Sequence, residues 1–186
     1  MSTTATEPDA GSRKPLCVDL DGTLVATDTT VEGLLEVLKA APWRVFALLA
    51  ALFGGRPALK RYIASNTRID PASLPYREEV LDEMRRARDD GRDVVLITAS
   101  DQSTADAVQA HLDLIDEAVG TSTNVNLKAS RKAAFLVERY GEGGFEYLGD
   151  SPADLPVWEA AGEATMVTPS AATRRRAEAR VARSRV

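Results

Sequence analysis

Short apolar runs that alternate with longer helical stretches constrain this chain more than any other feature of its sequence. Five runs of strand length are predicted, at Leu16–Leu20, Asp93–Thr98, Asp116–Gly120, Phe145–Gly149 and Ala164–Val167. Stretches with helical periodicity lie between and after them, at Tyr76–Asp90, Gln102–Leu112, Lys128–Tyr140, Pro152–Ala161 and the arginine-rich end. This alternation is typical of β-α-β units. The sequence therefore predicts an α/β fold with a doubly wound, parallel, five-stranded Rossmann-like sheet.

The connection between the first strand and the helix at Tyr76 is too long to be a plain loop. It has helical periodicity and no strand signal, and candidate helices lie at Thr30–Ala40, Trp43–Phe53 and Pro57–Asn66. A segment of this length in a compact domain normally has structure of its own. We expect a small helical cap at residues 29–73, above the carboxyl ends of the strands, where open α/β sheets bind ligands.

The remaining ranges follow from this division. We expect residues 13–28 and 74–171 to form the core domain, after a disordered lead-in at residues 1–12. Residues 172–186 are predicted to be a basic C-terminal helix or tail. Four aromatic side chains are expected in the core of the cap, where some could line a substrate pocket: Trp43, Phe46, Phe53 and Tyr62.

The longest apolar stretch is Val45–Phe53, nine residues that follow Arg44. A helix needs about 20 apolar residues to cross a bilayer, so this stretch predicts no transmembrane segment. We expect a buried helix here, and contact with a membrane surface is the alternative.

Cysteine content and the N-terminus bear on the compartment. The single cysteine, Cys17, excludes an internal disulfide and fits a reducing environment. Residues 1–11 are polar and lack the apolar region of a secretory signal. We therefore expect a cytoplasmic protein.

Charge is distributed unevenly along the chain. Residues 174–186 contain six arginines and one acid, so this tail has a formal charge of +5 and the remainder has −10. A basic tail can bind nucleic acid or anionic lipid, or it can be the solvated end of a last helix, which is the simpler interpretation. The acidic body argues against nucleic-acid binding, whereas peripheral membrane contact through the tail stays open.

The first predicted strand runs into two carboxylates at a glycine turn, in the sequence DLDGTL at residues 19–24. Paired like charges at the end of an apolar strand are costly, and a divalent cation such as Mg²⁺ relieves the repulsion. Asp19 can then act as a carboxylate nucleophile on phosphorus, and Asp21 as a general acid and base. Gly22 allows the tight turn that brings both carboxylates to one site.

Hydroxyl, ammonium and further carboxylate groups follow the later strands. Thr98 ends the second predicted strand, and its hydroxyl can bind a phosphate oxygen. Lys132 lies near the start of a helix, with Lys128 four residues earlier as the alternative, and either can neutralise a phosphoryl group. Asp150 and Asp154 lie in GDSPAD after the fourth strand, where metal ligation and simple helix capping are both possible.

Taken in order, these four motifs resemble those of the haloacid dehalogenase (HAD) superfamily, over roughly residues 16–169. The resemblance implies a Mg²⁺-dependent phosphatase with a small helical cap of the C1 type. Asp21 is the aspartate that phosphatases of the superfamily have and true dehalogenases lack. Lys132 is preferred to Lys128 because its distance of eighteen residues from Asp150 resembles the usual spacing.

The resemblance also implies a role for each matching residue. Asp19 would be the nucleophile and a metal ligand, and Asp21 the acid and base with its backbone carbonyl on the metal. Asp150 would ligate Mg²⁺, and Asp154 would support the metal site or ligate it. The phosphate group would be bound by four residues: Gly22, Thr98, Ala99 and Lys132.

A closer resemblance bears on the substrate. PLCVDLDGTLVATD, NLKASRKAAFLVERYG and GDSPADLPVW are similar to the soluble HAD domain ahead of UbiA-type prenyltransferase domains. The chain would then be a stand-alone relative or part of a longer protein. This resemblance implies a phosphorylated polyprenyl or sugar intermediate as substrate, within the broader expectation of a small phosphorylated metabolite or a lipid-linked phosphate. Two alternatives stay open: a regulatory or partner-binding domain with little turnover, and a phosphotransferase or mutase. The oligomeric state is not fixed by the sequence.

Overall fold

The computed structural model describes residues 13–53, 55, 62, 70–122, 127–181 and 183–186. Within these residues, six strands form one parallel sheet in the order β3-β2-β1-β4-β5-β6. In chain order the strands are Leu16–Val18 (β1), Val94–Asp101 (β2), Glu117–Thr121 (β3), Glu146–Gly149 (β4), Glu163–Met166 (β5) and Ser184–Arg185 (β6). The predicted parallel α/β fold is confirmed.

The described helices lie between the strands as the alternation predicts. They are Thr29–Ala40 (α1), Val45–Phe53 (α2), Glu78–Asp89 (α3), Gln102–His111 (α4), Ser130–Tyr140 (α5), Leu155–Ala160 (α6) and Ala171–Glu178 (α7). Short 3-10 turns occur at Pro42–Arg44, Pro71–Ser73 and Pro152–Asp154. The predicted lead-in at residues 1–12 lies outside the described residues, as does all of the candidate helix Pro57–Asn66 except Tyr62.

The prediction of five strands is wrong by one, because β6 extends the sheet within the basic tail. Ser184 pairs with Ala164 of β5, and Arg185 pairs with Thr165. The Arg185 guanidinium also forms an ion pair with Glu163 at 2.6 Å. A strand of two polar residues has no apolar run, so hydrophobic periodicity could not reveal it.

The sheet is covered on both faces, which explains the continuous apolar runs of its strands. Alternate residues point to opposite faces, so Leu16 and Val18 of β1 belong to one core cluster and Cys17 to the other. β2 divides in the same way, with Leu96 on the first face and Ile97 on the second. Two buried cores therefore hold the ends of β1, β2 and β4 in place.

The expectation of a buried helix at Val45–Phe53 is wrong, although the segment is helical as predicted. Only Leu48 of α2 is buried, in a small cluster with Val37 of α1. Three aromatic side chains that were expected in a cap core are instead exposed: Trp43 by 72%, Phe46 by 74% and Phe53 by 94%. A helix of nine apolar residues has no polar face, so covering one side leaves the other apolar side in solvent. The assignment of residues 29–73 as a cap remains a prediction.

None of the helices that the structure describes is both long and apolar enough to cross a membrane.

We predict that Leu96→Ala lowers the free energy of unfolding by about 2–5 kcal/mol, because it leaves a cavity in the buried core on one face of the sheet. Leu96 lies in β2 and is fully buried. The matched control is Leu49→Ala on the exposed side of α2, for which we expect a change below about 0.5 kcal/mol. Urea unfolding measures both variants. Equal losses would contradict the assignment of these two leucines to core and surface.

Candidate active site

The carboxyl ends of three adjacent strands bring the predicted site residues to one edge of the sheet. β1 pairs with β2 on one side and with β4 on the other, all in parallel. Asp19 directly follows β1, and its backbone N–H donates to the carbonyl of Leu148 in β4 at 3.0 Å. Asp150 directly follows β4. Parallel register therefore places these two carboxylates side by side.

Three carboxylates form a compact group at this edge. One oxygen from each of Asp19, Asp150 and Asp154 lies within 4.8 Å of the other two. Asp19 and Asp154 are buried and Asp150 is half-buried. Their spacing and oxygen chemistry fit a hard divalent cation, which takes carboxylate ligands together with water and substrate oxygens.

Gly22 makes room for this group. Its φ of +83° lies in the left-handed region, and a Cβ at this position would collide with the carboxylate of Asp150. Both observations require glycine in the turn after β1. Thr23, the next residue, donates from its hydroxyl to Asp150 Oδ1 at 3.4 Å.

Lys132 supplies the positive charge of the site. It lies in the first turn of α5, its side chain is only 5% exposed, and its Nζ lies 2.5 Å from Asp19 Oδ1. The same Nζ lies 3.9 Å from Asp154 Oδ1. Lys128, the alternative, lies before the helix and is exposed. The structure therefore brings Lys132, rather than Lys128, to the first aspartate.

Tyr147 connects Lys132 to Asp154. Its hydroxyl accepts a hydrogen bond from Lys132 Nζ at 2.9 Å and donates one to Asp154 Oδ1 at 2.8 Å. The other oxygen of Asp154 accepts from the backbone N–H and the hydroxyl of Ser151, both at 3.1 Å. Both Asp154 oxygens therefore accept hydrogen bonds from neighbouring groups, an arrangement that fits a supporting role and leaves a lone pair for direct ligation.

Asp21 faces a different set of partners from the three-carboxylate group. Its Oδ1 accepts from the backbone N–H and the hydroxyl of Thr29, each at 2.6 Å. Its Oδ2 accepts from the Ser100 hydroxyl at 2.6 Å. These three donors hold the carboxylate in one orientation, and they tie it to the first residue of α1 and to β2.

The prediction that Thr98 ends its strand is wrong, because β2 continues to Asp101. The pairing of β2 with β3 nevertheless shifts register between Ile97 and Asp101, so regular pairing is interrupted at Thr98. Thr98 is buried, and its hydroxyl accepts from the Ser100 N–H at 3.0 Å. Ala99 is exposed on the opposite side of the strand.

Electrostatics at the site favour a bound cation. The pKa of Asp19 is raised to about 7: burial raises it most, the ammonium group of Lys132 offsets part of that rise, and the charge of Asp154 adds to it. Burial and the charge of Asp154 raise the pKa of Asp150 to about 6. Burial, together with the charge of Asp154, raises the pKa of Tyr147 well above its ordinary value of 10, so its hydroxyl stays protonated as a donor. One lysine therefore does not fully offset three crowded carboxylates.

Three partners of the predicted site residues were not expected from the sequence: Tyr147, Thr29 and Ser100. Ser100 had a usable signal, because it lies two residues after Thr98 and residues two apart on a strand share a face. The sequence around Tyr147 gave no such signal, because the contact of Tyr147 with Lys132 depends on how α5 packs on β4. Thr29 gave none either, because its bond to Asp21 depends on the path of the chain after the DLDGTL turn.

No protein-family model matches the sequence. The chain is 47% identical over 160 residues to the uncharacterised protein y4nM of Sinorhizobium fredii (strain NBRC 101917 / NGR234). That match covers 86% of this chain and 31% of the relative, so the chain spans less than a third of the relative's length.

Solved structures with the same architecture cover nearly all of the chain. A protein of unknown function from Bordetella pertussis Tohama I has a TM-score of 0.69 and 17% identity, over 94% of this chain and 99% of its own. The HAD family hydrolase t0658 of Salmonella enterica serovar Typhi has a TM-score of 0.67 and 15% identity, over 93% of this chain and 67% of its own. A phosphoserine phosphatase with a phospho-aspartyl intermediate analogue has a TM-score of 0.62 and 14% identity, over 94% of this chain and 93% of its own. The chain therefore has the fold of the haloacid dehalogenase (HAD) family hydrolases.

Proposed function

We propose that the protein is a Mg²⁺-dependent phosphomonoesterase that acts through a phospho-aspartate on Asp19. The observation that carries this proposal is the group of Asp19, Asp150 and Asp154 with the ammonium group of Lys132 on Asp19. Among the structures with the same fold is a phosphoserine phosphatase with an analogue of a phospho-aspartyl intermediate. This likeness supports the choice of Asp19, which directly follows the first strand.

The metal site would be formed by carboxylates from two strands. Asp19 and Asp150 would ligate Mg²⁺, Asp154 would support them, and the backbone carbonyl of Asp21 would complete the protein ligands. When bound, Mg²⁺ neutralises negative charge on the carboxylates and on the phosphate oxygens. The raised pKa values of Asp19 and Asp150 support this assignment, because crowded acids gain most from a cation.

The proposed reaction has two displacements at phosphorus. An oxygen of Asp19 attacks the phosphorus atom and the bond to the ester oxygen breaks, while Asp21 donates a proton to that leaving oxygen. Asp21 then takes a proton from water as the water attacks phosphorus, and the bond to Asp19 breaks to release phosphate. Lys132 stabilises the transferring group, which would be bound by the remaining predicted residues: Gly22, Thr98 and Ala99.

We propose a small phosphorylated metabolite or a lipid-linked phosphate as the substrate. A regulatory domain with little turnover would show no release of phosphate from a broad panel of phosphate esters with Mg²⁺. A mutase would use the same aspartates but pass the phosphoryl group to another hydroxyl, so analysis of products separates it from a phosphatase. The cytoplasmic location and membrane contact through the tail also stay predictions.

We expect Asp19→Asn to lower Mg²⁺-dependent hydrolysis of p-nitrophenyl phosphate by about a thousandfold or more, because the amide cannot act as the nucleophile. The control is Asp89→Asn, which changes an exposed aspartate of α3 and should leave the rate unaltered. Release of p-nitrophenolate measures both. Retained activity in Asp19→Asn would refute the proposed nucleophile.

We expect Asp21→Asn to slow steady-state turnover by about a hundredfold or more, because it removes the general acid and base. With p-nitrophenyl phosphate as substrate, Asp19 of this variant should still be phosphorylated, because the p-nitrophenolate leaving group needs little protonation. Mass spectrometry of the acid-quenched intact protein should therefore detect added phosphate in Asp21→Asn and none in Asp19→Asn. An unchanged steady-state rate would remove Asp21 from this role.

We expect stabilisation by Mg²⁺ to depend on pH. The pKa values of Asp19 (about 7) and Asp150 (about 6) exceed the ordinary 3.8 of an unfolded aspartate, so the metal-free folded state keeps protons that the unfolded state has lost. Metal-free stability should therefore fall as pH rises from about 4 to about 7.

Mg²⁺ binds the ionised acids, so it should raise the melting temperature little at about pH 5 and most at about pH 8. Thermal unfolding with and without Mg²⁺ measures this difference. Asp150→Asn should remove most of the effect, and a shift of equal size at both pH values would contradict the proposed ligands.

A further inference from the structure

Within the described part of the chain, six of the eight exposed large hydrophobic side chains lie in α2 or in the turn before it, and the proposed chemistry uses none of them. At 3.6 residues per turn, the exposed positions of α2 fall in one arc of about 160°. They are Val45, Phe46, Leu49, Ala50, Leu52 and Phe53. Trp43, in the turn just before the helix, is exposed as well. We call these seven residues the α2 face. Exposed apolar surfaces of this kind mark sites of interaction.

The stretch of sequence that contains α2 has a net charge opposite in sign to that of the whole chain. The protein has 23 cationic and 28 acidic residues, and six of the cations but none of the acids lie at positions 37–69. This segment therefore has a formal charge of +6, and the rest of the chain has −11. One of these cations, the half-buried Arg44, lies between Trp43 and Val45 in the sequence.

We infer that the α2 face docks on the surface of an anionic lipid bilayer. Phenylalanine, leucine and tryptophan insert at the boundary between headgroups and acyl chains, and nearby cations attract anionic headgroups. A helix of nine residues is about 14 Å long, less than half the thickness of the hydrocarbon core, so it lies in the interface. This inference does not depend on catalysis by Asp19.

A second copy of the chain fits the α2 face less well. A two-fold dimer through this face would bring together two copies of a segment whose formal charge is +6, and like charges disfavour such an association. An anionic bilayer satisfies the apolar side chains and the cations at once. The basic tail is a weaker candidate for the same contact, because three of its arginines form ion pairs with protein acids: Arg174 with Glu178, Arg180 with Glu159 and Arg185 with Glu163.

The two tryptophans of the protein provide a direct test. Trp43 is exposed on the α2 face, whereas Trp158 is fully buried in the core. With vesicles of an equal mixture of phosphatidylglycerol and phosphatidylcholine, tryptophan emission should shift to shorter wavelength. Vesicles of phosphatidylcholine alone should cause a smaller shift, and added salt should reduce the response. Trp43→Phe should abolish the shift, because only Trp158 then reports.

Co-sedimentation with the same anionic vesicles tests the residues. The double variant Phe46→Ser, Phe53→Ser should bind about tenfold more weakly or worse, because it removes two large apolar side chains from the contact. Arg44→Gln should bind about fivefold more weakly. The matched control Val186→Ser, which changes an exposed apolar side chain at the other end of the chain, should bind as the parent does. Thermal unfolding establishes that each variant is folded.

Three results would overturn the inference. One is failure of the folded parent protein to bind the anionic vesicles. Another is equal binding by the parent and by the double Phe46→Ser, Phe53→Ser variant. The third is a shift of Trp43 emission that rises with protein concentration in the absence of lipid and disappears in the double variant, since a second copy would then cover the α2 face.

Discussion

The crowding of three carboxylates at one edge of the sheet, with the Lys132 ammonium group against Asp19, is the constraint on which the rest of this structure depends. Asp19, Asp150 and Asp154 can lie this close only because strands β1 and β4 are hydrogen-bonded neighbours that end at the same edge. The surrounding backbone is adapted to the crowding. Gly22 and Gly149 are both positions where a Cβ would press on one of these carboxylates. Two buried cores must therefore hold a local arrangement that electrostatics alone would disfavour.

Most of the sheet could be predicted from the sequence because burial on both faces leaves continuous apolar runs, as in residues 94–97. The acids of the site could be predicted because the carboxyl ends of parallel strands are a known place for ligands. Tyr147 could not be predicted, because an aromatic residue within an apolar run reads as core until its hydroxyl partners are known. The strand at Ser184–Arg185 was missed because it consists of two polar residues.

The helix α2 shows where the hydrophobic pattern misleads. A run of apolar residues predicts that water is excluded, but it does not say what excludes it. In α2 the described contacts bury Leu48 alone, and Phe46 and Phe53 point to solvent. The absence of any polar position in the run was itself informative, because a surface helix of a globular protein normally has a polar face.

The hydrogen bonds of Tyr147 place several groups in series. Ser151 holds Asp154, Asp154 accepts from Tyr147, Tyr147 accepts from Lys132, and Lys132 contacts Asp19. The orientation of the carboxylate after β1 is thus linked to a turn that follows a different strand. Replacements along this series should not have independent energetic effects, because each removes a partner that its neighbour needs. The amide and hydroxyl of a surface turn therefore belong, in energetic terms, to the same unit as the buried acid.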